Sequence, residues 1–273
     1  FVDMGIAESN MVSTAIGLSK QGLIPIVDTF AQFGITKGNL PIVMANLSQG
    51  PIIALFSHSG FQDAADGASH QSTTYMAAVS SIPHTTVINC TCSSEAEAYM
   101  YQAITDHKEK MEKGEQPDSV IFFFGREAHP EYFVKGASYE WAKAQVVREG
   151  SDVTIAATGP LLQKALEAAD KLSAQGVSAE VINNAFVNKV DTETFKKSLA
   201  KTGGRLVTIE DHQAIGGMGS MLTHALMQEG VTFKVKTLAN QGHFGQSAYK
   251  ADHLYDLHKL NADGIIAAYN ELK

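Results

Sequence analysis

Short apolar runs alternate with segments of helical periodicity along the first half of the chain. The apolar runs predict strands at Ile24–Val27, Ile52–Ser57, Thr86–Asn89 and Val120–Phe124. The segments between them predict helices at Asn10–Gln21, Asn39–Leu47, His70–Val79 and Ser94–Met111. The charged stretch His107–Asp118, which contains a proline near its end, predicts a solvated loop. Because strands and helices alternate, we expect a parallel sheet with helices on both faces.

The same alternation begins again at Val153, after a stretch without clear periodicity, Gly125–Glu149, that we interpret as a connection. The run VTIAATG predicts a buried strand, and apolar residues at helical spacing then predict a helix that stops at Gly176. Further predicted elements are strands Ser178–Ile182, Arg205–Ile209 and Thr232–Thr237 and helices Thr192–Lys201, Met221–Gln228 and Ala262–Leu272. The expected fold class is therefore α/β, with two domains, 1–148 and 149–273, that each contain a mostly parallel sheet flanked by helices.

Composition narrows the class of protein. Of the 273 residues, 44% are hydrophobic, and the formal net charge is -8 without any basic run, which argues against a nucleic-acid-binding protein. No apolar run approaches the length needed to span a membrane, and the first residues do not read as a secretory signal. Cys90 and Cys92 are expected to be buried thiols of a reduced, cytoplasmic protein, because a lone Cys-x-Cys pair is a weak metal signal.

One acidic residue near the start of the chain, Glu8, lies among small and apolar neighbours. A predicted strand then leads to Phe30 and Phe33. A carboxyl group beside an aromatic wall would suit a heteroaromatic cofactor with a protonatable ring nitrogen. The structural alternative is that Glu8 caps the following helix and that both phenylalanines belong to the core, and composition alone favours this alternative.

Polar side chains follow two other predicted strands. His58, Asp66 and His70 lie in a glycine-containing loop after a buried strand, where ligands bind in open α/β sheets. They could hydrogen-bond a polyhydroxylated substrate or move protons, or they could only stabilise the loop. Arg126 follows the apolar run VIFFFG and would suit a phosphate or a carboxylate, or an ion pair with Glu127 or another acid.

Two patterns in the second half have a favoured structural interpretation. The glycines of the IGGMGS segment lie between a strand and a helix but lack the full dinucleotide-binding pattern, so a tight turn is favoured over a phosphate-binding loop. The adjacent residues Glu210, Asp211 and His212 point different ways along a strand. An ion pair in a loop or interface is therefore favoured over a catalytic set.

Taken together, the segments GIAESNM, DTFAQF, SHSG, ADGASHQ, VTIAATG and VTIEDHQAIGGMGS resemble the transketolase-like superfamily of thiamine-diphosphate enzymes. The resemblance covers nearly the whole chain and corresponds to the C-terminal half of a transketolase. It implies that 1–148 is a pyrimidine-binding domain whose first strand and helix are missing before Phe1. It also implies that 149–273 is a transketolase C-terminal domain, which in this family serves assembly and carries no catalytic residue.

The resemblance implies a cofactor-binding role for the acid and the two rings. Glu8 matches the catalytic acid that hydrogen-bonds the pyrimidine ring nitrogen of thiamine diphosphate. Phe30 and Phe33 match the aromatic residues that pack on the pyrimidine. One departure is Thr36, which stands where many relatives have a third ring.

The resemblance implies a substrate-binding role for the residues after the other strands. His58, Asp66 and His70 match residues that contact sugar hydroxyls or assist proton transfer, so both histidines are also catalytic candidates. Arg126 matches the arginine that binds the sugar phosphate. A second departure, Ala65 in place of an acid, leaves the sugar specificity open.

No segment resembles the Gly-Asp-Gly…Asn pattern that holds magnesium and the cofactor's diphosphate in this family. The resemblance therefore implies that a partner, an N-terminal diphosphate-binding subunit or segment, binds Mg2+ and the diphosphate, and that this chain binds no metal. We expect a homodimer or heterotetramer that acts on sugar phosphates, and a chain that is inactive alone.

Three functions are compatible with the sequence. The favoured one is a transketolase component that moves a two-carbon ketol unit from a ketose phosphate to an aldose phosphate. The second is a component of 1-deoxyxylulose-phosphate synthase or the β-subunit of a 2-oxoacid dehydrogenase, although Asp66, His70 and Arg126 favour a sugar phosphate. The third is a non-catalytic assembly domain, which would need neither Glu8 nor the polar loop.

Overall fold

The computed structural model describes residues 1–131 and 139–273. The first unit is built on a parallel sheet of strands β1 (Ile26–Phe30), β2 (Ile53–Ser57), β3 (Thr85–Asn89) and β4 (Ser119–Phe123), in the spatial order β1-β2-β4-β3. Its helices are α1 (Glu8–Lys20), α2 (Ala31–Lys37), α3 (Asn39–Leu47), α4 (Tyr75–Ser80) and α5 (Ser93–Glu112). Because these strands are parallel, their carboxyl ends meet at one edge of the sheet, where ligands bind in such folds.

The second unit is built on strands β5 (Gln145–Arg148), β6 (Val153–Ala157), β7 (Ala179–Asn183), β8 (Arg205–Gln213) and β9 (Lys234–Asn240), in the spatial order β5-β7-β6-β8-β9. β5 runs antiparallel to β7, and the other pairs are parallel. Its helices are α6 (Leu162–Ser173), α7 (Thr192–Lys201), α8 (Met218–Gln228), α9 (Ala251–Leu257) and α10 (Ala262–Asn270), with a short 3-10 helix at Gly159–Leu161. The prediction of two α/β units with mostly parallel sheets is confirmed.

The apolar runs form the buried strands, as expected for sheets covered on both faces. Every residue of β3, β4, β6 and β7 is buried. One cluster of buried side chains crosses between the units, with Val87 and Phe123 from the first and Ile182 and Leu206 from the second. The amide of Val187 also donates to the carbonyl oxygen of Val87 at 3.0 Å. The two units therefore share a continuous core.

Among the predicted boundaries, the start of the loop at His107 and the start of a helix at His70 were wrong. Helix α5 ends at Glu112, one residue after the predicted end at Met111, so the first half of the predicted loop His107–Asp118 is helical. The His107 ring is buried and its Nδ1 lies 2.9 Å from the carbonyl oxygen of Ala103, while most charged residues after it are exposed. Helix α4 begins at Tyr75 and not at His70, which leaves His70 in the loop.

Several short elements were not predicted. β1 begins later than expected and runs to Phe30, and α2 follows it at once. Part of the predicted connection Gly125–Glu149 is strand β5, which begins four residues before the expected domain boundary at 149. Residues 132–138 of that connection, including Gly136, lie outside the described residues.

Candidate active site

Glu8 is the first residue of α1 and lines a cavity of about 530 Å³. The other residues that line it are Ile6, Ala7, Ser9, Asn10, Phe33 and Lys37. The hydroxyl of Ser9 donates to the carbonyl oxygen of Lys37, which ties the start of α1 to the end of α2. Within residues 1–131 and 139–273, the Glu8 carboxylate has no hydrogen-bond or ion-pair partner. The expected capping role is therefore absent, and the carboxylate is available to a ligand in the cavity.

Phe30 and Phe33 are half-buried at the end of β1 and in α2, so neither is a core residue. Their ring centroids are 6.4 Å apart, and the ring planes differ by 25°. Gly34 makes this placement possible, because a Cβ there would lie 2.6 Å from the ring of Phe56. The short helix α2 can therefore pack closely on β2 while Phe33 faces the Glu8 cavity.

His58 follows β2 in a left-handed backbone conformation, with a φ of 61°. Its ring stacks on Phe30 with the centroids 3.8 Å apart, and its Nδ1 lies 2.8 Å from the Ser57 hydroxyl. Burial lowers the pKa of His58, while the nearby Asp63 and Asp66 partly oppose that shift. The imidazole is therefore neutral near pH 7 and able to accept a proton.

His70 completes a continuous group of rings. Its ring meets Phe33 edge-on, with the centroids 5.2 Å apart. His58, Phe30, Phe33 and His70 thus follow one another in contact, and we call this group the aromatic row. One end of the row is at the carboxyl end of β2, and Phe33 connects it to the Glu8 cavity.

Arg126 lies just after β4 and is bound to acids of the loop that carries His58 and His70. Its Nη1 lies 2.6 Å from Oδ1 of Asp63 and 3.7 Å from Oδ2 of Asp66. The Asp63 side chain is fully buried, whereas the Arg126 side chain is 47% exposed. Burial raises the pKa of Asp63, and the neighbouring Asp66 raises it further. The ion-pair partners of Arg126 are therefore Asp63 and Asp66 and not Glu127, and about half of the arginine side chain remains exposed.

The structure thus brings all the candidate residues to the carboxyl end of the first sheet, in two connected groups. Glu8 and the phenylalanines form one group, and the histidines, Asp66 and Arg126 form the other. Sequence reasoning missed Asp63 and Lys37. Asp63 lies three residues before Asp66 in the same loop, which was a usable signal, whereas Lys37 gave none because its helix was not predicted.

The residues Glu210, Asp211 and His212 of β8 form hydrogen bonds and not the expected ion pair. The two oxygen atoms of the Glu210 carboxyl group accept hydrogen bonds from the amides of Met218 and Gly219, at the start of α8. It therefore occupies the position that a phosphate would need, and the IGGMGS glycines form a turn around it. His212 Nε2 accepts from the amide of Ala77 in the first unit at 3.2 Å.

Other classes of site find no support among the described residues. Cys90 and Cys92 are free and buried. Within residues 1–131 and 139–273, no cluster of three or more histidine, cysteine or acidic side chains could hold a metal ion. In the same residues, no helix combines the length and the apolar character that crossing a membrane requires.

Two models of known protein families match this chain, one for each unit. The family model described as "Transketolase, pyrimidine binding domain" matches residues 1–126. The model described as "Transketolase, C-terminal domain" matches residues 142–265.

Individual relatives agree with these matches. Transketolase-like protein 2 of Homo sapiens is 32% identical over 98% of this chain, which spans only 41% of that protein. A putative transketolase C-terminal section from Methanocaldococcus jannaschii is 30% identical over 97% of this chain and 80% of its own length. A solved structure titled "Split gene transketolase, inactive beta4 tetramer" superposes with a TM-score of 0.85 at 31% identity, over 100% of this chain and 84% of that one.

Proposed function

This chain belongs to the transketolase family, and from that premise we propose that it provides the pyrimidine side of a thiamine-diphosphate site. The proposed reaction moves a two-carbon ketol unit from a ketose phosphate to an aldose phosphate. The single observation that carries the proposal is the Glu8 carboxylate, which has no partner in the part of the chain that the structure describes and which shares a cavity with Phe33.

The residues of the cavity fit a planar, nitrogen-containing ring. Glu8 would hold a ring nitrogen by a hydrogen bond, and the half-buried rings of Phe30 and Phe33 would contact its face. The chemistry that thiamine diphosphate supplies when bound is a nucleophilic carbon and an electron sink for the two-carbon unit. The protein's part on this side of the site is to orient the ring and to fix a proton between Glu8 and the ring nitrogen.

The second group of residues would bind the sugar. The neutral imidazole of His58 can accept a proton from a sugar hydroxyl, and His70 and Asp66 lie in the same loop for further contacts. The exposed part of the Arg126 guanidinium would bind the substrate phosphate, because a planar fork of donors matches phosphate oxygens. A buried anion, Asp63, holds that guanidinium in place.

We propose that the diphosphate and Mg2+ are held by a separate diphosphate-binding chain or segment. This chain spans 41% of the human relative but 80% of the C-terminal section from Methanocaldococcus jannaschii. A division of the enzyme into two chains would match that section and the split-gene structure. By the same similarity to the tetramer of that title, we propose that this chain also associates with copies of itself.

Ketol transfer by the reconstituted complex tests the proposal. The chain is assayed alone and with its diphosphate-binding partner, with thiamine diphosphate and Mg2+, on xylulose phosphate plus an aldose phosphate. We expect turnover only in the mixture. Consumption of pyruvate in place of the ketose phosphate would assign the chain to a 2-oxoacid enzyme. Robust transfer by the chain alone would contradict the proposed division of the site.

A further inference from the structure

A carboxylate of the second unit lies directly beneath the loop that carries His58. Asp211, in β8, is fully buried. Its Oδ1 accepts a hydrogen bond from the Tyr75 hydroxyl of the first unit at 3.1 Å, and its Oδ2 accepts one from Tyr255 of α9 at 3.0 Å. A buried carboxylate with two hydroxyl donors is fixed in position, because losing either donor would leave a polar group unsatisfied.

The contact between Asp211 and the loop permits only glycine. Gly60, two residues after His58, has a φ of 62°, and a Cβ there would lie 2.1 Å from Oδ2 of Asp211. The backbone amide of Phe61, the next residue, also stabilises the charged form of Asp211 and so partly opposes the rise of its pKa on burial. The backbone on the C-terminal side of His58 is therefore seated on a side chain of the second unit.

A second connection runs from Tyr255 to Arg126. The Tyr255 hydroxyl accepts a hydrogen bond from Gln62 Nε2 at 2.9 Å. The Oε1 atom of the same Gln62 amide accepts from the backbone amides of Arg126 and Glu127, at 3.1 and 3.0 Å. Because Gln62 has both of its polar atoms engaged, Tyr255 fixes the amide that in turn fixes the backbone of Arg126.

Further hydrogen bonds join the same loop to the second unit at its far side. The amide of Ala248 donates to the carbonyl oxygen of Ala64 at 2.9 Å. Nε2 of Gln71 donates to the carbonyl oxygen of Gln246 at 2.8 Å. The loop that bears the candidate sugar-binding residues is thus bonded to the second unit along most of its length.

We propose that Asp211 and Tyr255, in the unit without substrate-contacting residues, are positioning residues for His58 and Arg126. Asp211 sets the backbone after His58 through Gly60 and Phe61. Tyr255 sets the backbone of Arg126 through Gln62. This inference rests on the proposed function for the roles of His58 toward the sugar and of Arg126 toward its phosphate.

The variant Tyr255→Phe tests the connection because it removes only the hydroxyl. Its matched control is Tyr269→Phe, a buried tyrosine of α10 in the same apolar cluster as Tyr255. The first measurement is hydrogen–deuterium exchange of the isolated chain. We expect the amides of Arg126 and Glu127 to exchange about tenfold faster in Tyr255→Phe, because a lost hydrogen bond of this kind weakens protection by that order. The control should match the wild type.

The second measurement is the kinetics of the reconstituted complex with a phosphorylated ketose and with a ketose that lacks the phosphate. For Tyr255→Phe we expect KM for the phosphorylated donor to rise about tenfold, with kcat within about twofold, since a displaced arginine weakens binding of the phosphate. KM for the phosphate-free donor should rise much less, because for that donor only the weakened contact of Asp211 with the His58 loop matters. A general structural defect would affect both donors alike, so an equal effect on the two would overturn the inference.

Exchange and kinetics separate the two proposals. Unchanged exchange at Arg126 and Glu127 in Tyr255→Phe would overturn the positioning inference whatever the activity. Only the kinetic measurement needs an active wild-type complex. Absence of ketol transfer would contradict the proposed function, and hydrogen–deuterium exchange would still decide whether Tyr255 positions Arg126. If Tyr255→Phe fails to fold, Asp211→Asn serves as the second variant, with faster exchange of the Phe61 amide as the expected result and unchanged exchange as the contrary one.

Discussion

The charged side chains of the candidate site differ in whether another side chain of the protein already binds them. Glu8 has no partner among the described residues, whereas Asp63 is buried and bound to Arg126. Arg126 has one nitrogen on Asp63 and remains about half exposed. A carboxylate without a partner and a partly exposed guanidinium are the groups that a ligand can engage, so we assign them to cofactor and substrate. Asp63 is already bound to Arg126, and it fixes the position of that side chain.

Replacing Gly60 by alanine tests how tightly the loop fits on Asp211. An alanine at positive φ costs about 1–2 kcal/mol by itself. Gly176→Ala is the matched control, because Gly176 has a φ of 77° and open space where its Cβ would be. We expect Gly60→Ala to lower the free energy of unfolding by at least about 2 kcal/mol more than the control, since the added Cβ meets a buried carboxylate. Equal losses in urea denaturation would contradict the close fit.

The sequence indicated some of these residues and could not indicate others. Glu8, Phe30 and Phe33 stand out because an acid among small residues and two spaced rings are visible locally. The pairing of Asp63 with Arg126 joins residues 63 positions apart, and no local pattern identifies which acid the arginine selects. Asp211 was interpreted as part of a loop or interface, and its link to Gly60 depends on the packing of the two units.

At the scale of elements, the strands that are buried on both faces were predictable, whereas the short helix α2 and the edge strand β5 were not. Continuous apolar runs mark strands such as β4 and β6 because both faces of these strands are covered. Helix α2 has only seven residues, AQFGITK, which is too short to show a periodicity. The helix prediction Ser94–Met111 ends within one residue of the end of α5, whereas the overlapping loop prediction began too early, because the charged residues of this last part lie on the solvent side, with buried His107 as the exception. The missed helix α2 is the one that carries Phe33.

Glu210, whose carboxyl group lies at the start of α8, is a buried acid whose protonation in the folded chain can be tested. Burial raises the pKa of Glu210 to about 8, from an ordinary value of 4.5. Between those two pH values the folded chain holds a proton that the unfolded chain has released. The stability that this raised pKa contributes is therefore fully present below pH 4.5 and is lost as the pH rises towards 8, by at most roughly 1.4 kcal/mol per pH unit.

Glu210→Gln should remove this dependence, because glutamine does not titrate. We expect the free energy of unfolding of the variant, relative to the wild type, to increase as the pH is raised from 5 to about 8. Glu97→Gln, at an exposed position of α5, is the control and should leave the slope unchanged. Parallel stability curves for Glu210→Gln and the wild type would show that Glu210 does not hold its proton in the folded chain.

At the scale of the whole molecule, the two units share one core and one functional edge. The cluster that contains Val87 and Ile182 joins the sheets, and the loop after β2 is bonded to the second unit. We therefore propose that the C-terminal unit, besides the role in assembly that the resemblance implies, also positions the residues that we assign to sugar binding. The cofactor side is open at the Glu8 cavity, which is where the proposed diphosphate-binding partner would close over the ring.

The most direct test of this account is the ketol-transfer rate of the complex formed with Glu8→Gln. The variant keeps the size of the side chain and removes its charge and its ability to hold the proton. We therefore expect a loss in kcat/KM of at least about 100-fold, with unchanged folding and unchanged association with the partner. Glu97→Gln, prepared in parallel, should keep the wild-type rate. A Glu8→Gln complex within about twofold of the wild-type kcat/KM would contradict the assignment of Glu8 to the cofactor, and with it the proposed function.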